Sequence, residues 1–268
     1  LGYYSRARNM HRCAQEVVAR FGGEFPRTAA QLETLPGIGR STAAAIASFC
    51  FGERVAILDG NVKRVLTRFL AFEGDMASSA SERALWNLAT QLLPPVESSA
   101  DMPAYTQGLM DLGATVCIPR KPSCLICPVA ADCQAKVHGE QERFPVKTRK
   151  LRRSSQSLWM LVARDAQGRI WLEKRPASGI WAGLYCLPCF DEREALGASL
   201  PAHAGGDLRD APPFVHVLTH KDLHLHPVAW NAPSGVDPSS RGAWFAEDAW
   251  PGLGLPAPVR KLLLSGAP

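Results

Sequence analysis

Through the first half of the chain, apolar residues recur every three or four positions. MHRCAQEVVARF (10–21), TAAAIASFCF (42–51), VKRVLTRFLAF (62–72) and SERALWNLATQLL (81–93) each carry one apolar stripe, which predicts amphipathic helices packed on a shared core. The stretches between them (FGGEFPRT, LPGIGRS, EGDMASS, LLPPVESSADMP) hold Gly, Pro and Ser and read as turns. From Ser157 the period shortens to two. SLWMLVARDAQGRIWLEKR (157–175) predicts a strand, an Asp/Gly turn and a second strand; VHVLTHKDLHLHPVAW (215–230) alternates again; PAPVRKLLLS (256–265) predicts a short closing helix. The change of period divides the chain into an all-α domain over 1–136 and an α+β domain over 157–268. The intervening HGEQERFPVKTRKLRRSSQS is polar, with five basic residues between Lys147 and Arg153, and predicts an exposed linker over 137–156.

Composition narrows the class without naming a function. The chain has 268 residues, 46% hydrophobic and 21% charged, which is enough for two globular domains. No stretch approaches the roughly 18–20 apolar residues of a membrane span, and no secretory-type leader is visible, so the expected location is cytoplasmic. The net charge of +5 and pI near 8.8 are compatible with a nucleic-acid partner but do not single one out. The opening LGYYSRARNMH has no initiator Met, so the sequence reads as lacking an upstream segment.

Three stretches carry candidate chemistry. In LPGIGRSTAAAIASF, Gly37 and Gly39 form a tight connection before a small-residue helix, whose free amides and dipole suit a phosphate oxygen; the bland alternative is an ordinary helix–turn–helix corner. In AILDGNVKR, an apolar run ends in a single acid, Asp59, which is also a good helix N-cap. In CIPRKPSCLICPVAADC, Cys117, Cys124, Cys127 and Cys133 are spaced C-x6-C-x2-C-x5-C with no His or Asp interleaved. Four thiolates in one continuous loop suit a cubane iron–sulfur cluster better than zinc, whose structural sites pair short Cys knuckles across a longer spacer; disulfides are the poorer reading in a reducing cytosol. The other cysteines, Cys13, Cys50, Cys186 and Cys189, read as core filler.

LPGIGRSTA, with an aspartate 18 residues after Ser41, and the four-cysteine loop together resemble the endonuclease III superfamily of DNA glycosylases over residues 1–136. LGYYSRARNMH, PGIGRSTAAAI, ILDGNVKRVL and MDLGATVC resemble, within it, the adenine DNA glycosylases of the MutY type. RPASGIWAGLYCLP and FVHVLTHKDLHLHPV resemble the Nudix-like C-terminal domain of those enzymes, which recognises 8-oxoguanine. The clustered glutamates of Nudix hydrolases are absent after the first strands, so recognition rather than nucleotide hydrolysis is implied.

The resemblance implies an all-α helix-hairpin-helix glycosylase domain with an iron–sulfur loop, followed by an α+β Nudix-like domain. It implies removal of adenine opposite 8-oxoguanine or guanine in duplex DNA by a monomeric protein of the bacterial cytoplasm and nucleoid. It assigns a [4Fe-4S] cluster to the four cysteines and the catalytic carboxylate to Asp59, with Asn61 orienting the reacting groups and Ser41 facing the same pocket. Bifunctional relatives carry a lysine at the Ser41 position, so lyase activity is expected to be weak or absent. Gly37, Gly39, Lys63 and Arg64 are implied DNA ligands, although Lys63 and Arg64 also read as solvated helix charges. Tyr3 matches a tyrosine wedged into the duplex, with core packing as its alternative. Thr219 and His220 occupy the Ser-His positions that contact 8-oxoguanine, against the alternative of a strand with a solvated histidine face. The family's general-acid glutamate is expected upstream of Leu1, and no acid within residues 1–55 takes that role. Two readings compete with adenine excision: a lesion-binding chain without activity, and an endonuclease III-like pyrimidine glycosylase.

Overall fold

The computed structural model describes residues 4–96, 101–148, 153–201 and 207–266. The chain divides into two compact units, one within Ser5–Lys150 and the other within Leu151–Pro268, which Tyr4 joins.

The first unit is helical. Among the described residues it contains α1 (Tyr4–Phe21), α2 (Ala29–Leu32), α3 (Arg40–Phe51), α4 (Gly60–Phe69), α5 (Ser79–Gln91), α6 (Met102–Asp111) and α7 (Gln134–Val137). Two clusters form its core. Cys13 and Val17 of α1 meet Leu32, Leu35, Ala43 and Ala47. Ala44 on the neighbouring face of α3 packs with Ile57, Leu58, Val62, Leu66, Leu85 and Met102. Alanines at 43, 44 and 47 let α3 lie against neighbours on two sides, because only a small side chain fits at so close an approach. Thr28 caps α2, its side chain accepting from Gln31 N–H, and Gly52 ends α3 in the left-handed region at φ +67°.

The second unit is a mixed sheet covered on both faces. Its strands are β1 (Ser154–Arg164), β2 (Ile170–Lys174), β3 (Tyr185–Cys186), β4 (Cys189–Phe190), β5 (Arg209–Asp210), β6 (Phe214–Val217), β7 (Lys221–Asn231) and β8 (Gly242–Phe245), with helices α8 (Arg193–Ser199) and α9 (Ala257–Leu264). The order β3-β2-β1-β7-β5 places β1 at the centre, and β4, β6 and β8 add to β1, β7 and β2. β1 and β7 run parallel in register from Ser154↔Lys221 to Arg164↔Asn231. Alternation along β1 sends Leu158, Met160 and Val162 into the core that holds Val259 and Leu263 of α9, and Leu161 and Ala163 into the core that holds Leu196 of α8. Burial on both faces is why this strand reads as a nearly unbroken apolar run.

The expected linker over 137–156 is shorter at both ends than its polarity suggests. Phe144 is buried in the helical unit, Val146 C=O accepts from Met76 N–H at 2.9 Å, and Thr148 bonds the Asp75 carboxylate. Those bonds hold the Asp75 carboxyl below its usual range, the Thr148 hydroxyl first among them. Ser154 already belongs to β1. Phe144 sits among charges in sequence, so its burial follows from a distant partner and not from local pattern.

Candidate functional site

The segment from Gly52 to Leu58 leads out of the core: Ala56, Ile57 and Leu58 are buried, and Asp59 is the first polar residue to follow. Asp59 caps α4, with Oδ1 accepting from Val62 N–H at 2.7 Å. Among the described residues Oδ2 has no hydrogen-bond partner. Ser41, on the first turn of α3, accepts through Oγ from Leu58 N–H at 3.1 Å. That bond joins the start of α3 to the residue just before Asp59, so the N-termini of α3 and α4 meet at one place. Both helix ends carry partial positive charge, which suits an anionic ligand beside them.

The turn before α3 leaves its amides uncapped. Gly39 is the N-cap and offers no side-chain acceptor. Gly37 lies at φ +81°, and a Cβ there would come within 2.6 Å of Asn9 Cβ in α1. Glycine at 37 is therefore required twice, by the backbone conformation and by the close approach of α1. Both glycines are exposed.

Two residues beyond Asp59, Asn61 is held from two sides. Its Oδ1 accepts from Arg64 Nη2 at 2.9 Å, and Gly113 packs so closely that a Cβ would lie 2.8 Å from Asn61 Cβ. Arg64 also donates to Gly113 C=O at 2.6 Å and, through Nε, to Cys117 C=O at 2.7 Å. The Arg64 guanidinium thus braces α4 against the turn that follows α6 and against the first cysteine of the loop. Lys63 pairs with Glu82 of α5, which likewise gives its ammonium an internal partner.

The four cysteines line one cavity of about 30 Å³, walled by Val65, Phe69, Leu112 and Val116. Cys117 follows a π-type turn (Leu112–Val116), Cys124 opens a 3₁₀ turn and Cys133 caps α7. Among the described residues, no three His, Cys, Asp or Glu side chains stand where they would grip a single metal ion. Burial, and after it the negative field of the other three cysteines, pushes the Cys133 thiol up, while a hydrogen bond from Lys136 N–H pulls it down. Arg120 and Lys121 lie exposed on the loop between the first two cysteines.

In the second unit, Thr219 and His220 form the exposed turn between β6 and β7, closed by Leu218 N–H donating to Lys221 C=O at 2.8 Å. His216 points back toward the core, its ring 6.2 Å from that of Trp181, and burial lowers its pKa. Tyr3 lies outside the described residues.

Comparison with known proteins joins these two constellations. Residues 20–49 match the helix-hairpin-helix motif family and residues 159–265 the NUDIX domain family. The adenine DNA glycosylase of Buchnera aphidicola subsp. Acyrthosiphon pisum is 32% identical over 98% of this chain and 75% of its own length. The chain belongs to the adenine DNA glycosylase family. The human adenine DNA glycosylase is 32% identical over 98% of this chain and 58% of its own length. A solved structure of a thermostable thymine-DNA glycosylase is 31% identical over 49% of this chain and 58% of that one, at a TM-score of 0.42, too low an overlap to add to the assignment.

Within this adenine DNA glycosylase fold, the residue that sequence reasoning missed is Arg68. It is 2% exposed, yet it is a full positive charge. Its guanidinium donates to Phe144 C=O at 3.2 Å, Ile118 C=O at 2.7 Å, Pro119 C=O at 3.0 Å and Cys117 Sγ at 3.4 Å. Its own C=O accepts from Cys133 Sγ at 3.6 Å. A buried guanidinium is tolerated only with such partners. The signal was present in the sequence: Arg68 stands three residues after Val65, on the apolar stripe of α4.

Proposed function

We propose that this glycosylase acts in base-excision repair on duplex DNA, hydrolysing the N-glycosidic bond of adenine paired with 8-oxoguanine or guanine. The observation that carries the reading is the Asp59 carboxylate, fixed through one oxygen to the start of α4 and set beside α3 by Ser41, with the other oxygen without a hydrogen-bond partner among the described residues. An adenine within a duplex must first be flipped out of the stack. As its bond to the sugar breaks, positive charge develops at C1′, and an ionised carboxylate stabilises that state far better in a preorganised site than in water. The Val62 amide holds Asp59 Oδ1, which leaves Oδ2 for the sugar. The uncapped amides at Gly39–Ser41 suit a backbone phosphate. Asn61, clamped by Arg64 and Gly113, presents its remaining amide group in a fixed orientation.

Ser41 makes the enzyme monofunctional, since a hydroxyl cannot form the imine by which a lysine cleaves the strand. Thr219 and His220 read the oxidised guanine from their exposed turn. Cys117, Cys124, Cys127 and Cys133 would hold a [4Fe-4S] cluster, which when bound supplies a compact iron–thiolate cross-link for the loop. The fit rests on four thiols around one cavity and on the Arg68 guanidinium donating to a ligand sulfur. The protein works as a monomer in the cytoplasm, on the nucleoid.

The test is base release by the complete protein on three duplexes. Adenine should appear from 8-oxoguanine:adenine and more slowly from guanine:adenine, without strand scission. Release of thymine glycol in place of adenine would favour the pyrimidine-glycosylase reading, and tight binding of the lesion duplex without release of any base would favour the lesion-binding one.

A further inference from the structure

The cysteines that sequence reading left as core filler contain a second constellation. Cys186 ends β3 and Cys189 opens β4, joined by Leu187 and Pro188. The ladder explains their meeting: Cys186 pairs with Glu173 of β2, Cys189 pairs with Met160 of β1, and the two-residue reversal between them brings the thiols to 3.8 Å. Both are free thiols. Cys186 is fully buried, whereas Cys189 is partly exposed. Arg175, which continues β2 through its N–H bond to Leu184 C=O, brings a positive charge to the pair, and its Nε is buried without a hydrogen-bond partner. A thiol on a partly exposed residue beside a cation, with a second thiol within reach, is an arrangement that can react with a small oxidant and then resolve to a disulfide.

We propose that Cys186 and Cys189 form a redox-active dithiol that closes to an intramolecular disulfide on exposure to peroxide. Cys189 attacks one peroxide oxygen; the O–O bond breaks, the first water leaves, and Cys189 becomes a sulfenic acid. Cys186 then attacks the Cys189 sulfur; the S–O bond breaks, the Cys186 proton leaves with the departing oxygen as the second water, and the S–S bond forms. Each disulfide thus delivers two electrons to one peroxide. The division of labour follows from position: Cys186 is fully buried, whereas Cys189 lies on a partly exposed residue, its thiol held below its usual value by the contact with Cys186 and by the Arg175 charge.

Closure has a path to the rest of the unit. Both cysteines pack in the core that also holds Trp181, Phe214 and Leu218, the residues behind the Thr219–His220 turn. Drawing the sulfurs from 3.8 Å to about 2.05 Å moves the β3–β4 reversal against that core. The disulfide should therefore weaken lesion binding, a consequence that rests on the recognition role given to the turn, whereas the dithiol itself does not.

The experiment treats the complete protein with hydrogen peroxide, maps peptides, and measures affinity for an 8-oxoguanine:adenine duplex before and after. The tryptic peptide 175–193 should lose about 2 Da, recover it with dithiothreitol, and show no loss in Cys189→Ser. Lesion affinity should fall several-fold in the oxidised wild type and stay unchanged in that variant. Irreversible gain of oxygen on either cysteine, or no change in the wild-type peptide, would overturn the dithiol. A reversible disulfide with unchanged lesion affinity would overturn only the coupling, and failure of the reduced protein to prefer the lesion duplex would overturn the recognition reading instead.

Discussion

The Asp59 junction and the Thr219–His220 turn are built by opposite means. Asp59 stands at the end of a buried segment, with one oxygen locked to α4 and its neighbour Leu58 locked to α3 by Ser41. Thr219 and His220 stand on an exposed two-strand turn whose support comes from behind, through Phe214, His216 and Leu218. On the roles proposed above, the contrast separates two tasks. Stabilising a developing charge requires a dipole or carboxylate that does not reorganise, so the junction sits inside the core's stiffness. Reading a base at the surface requires access, and the turn has it.

Changes that strike the support of the junction should therefore cost stability, and changes in the turn should not. The largest effect is expected at Arg68. Arg68→Ala leaves the buried Phe144 carbonyl and the partly buried carbonyls of residues 118 and 119 without their donor and should lower stability by about 3 kcal/mol, measured by chemical denaturation. Ser41→Ala removes the acceptor of Leu58 N–H and should cost about 1 kcal/mol, with a drop in excision rate of about tenfold as Asp59 loosens. Thr219→Ala combined with His220→Ala should leave stability within about 0.5 kcal/mol while erasing most of the preference for 8-oxoguanine over guanine. A large stability loss in the double variant would show that the turn is structural after all.

The smallest effect concerns pH. Burial lowers the pKa of His216, so the unfolded chain takes up a proton more readily than the folded one. Its contribution is neutral above the ordinary histidine value and becomes destabilising as pH falls below it. Melting curves at pH 7.5 and 5.5 should show a slightly larger loss for the wild type than for His216→Asn.

Much of the junction was legible because its determinants are local. Glycines before a small-residue helix, and an acid before a helix start, are patterns that a few neighbouring residues decide. The strands were legible from alternation, although β1 begins three residues before the expected Ser157. What stayed hidden depends on partners far along the chain. Arg64 looked like a surface cation, and only carbonyls at 113 and 117 reveal it as a brace. Phe144 looked like part of a linker until the helical unit was seen to bury it. For Arg64 only the Asn61 contact is local; the carbonyls that make it a brace lie far along the chain.

The most direct test replaces Asp59 with Asn in the complete protein and follows single-turnover release of adenine beside the melting temperature. Asparagine caps a helix as well as aspartate but carries no charge. The melting temperature should be unchanged and the rate lower by about a thousandfold or more. A variant that melts normally and excises adenine within about tenfold of the wild type would contradict it, because the charge at position 59 would then have no part in the reaction.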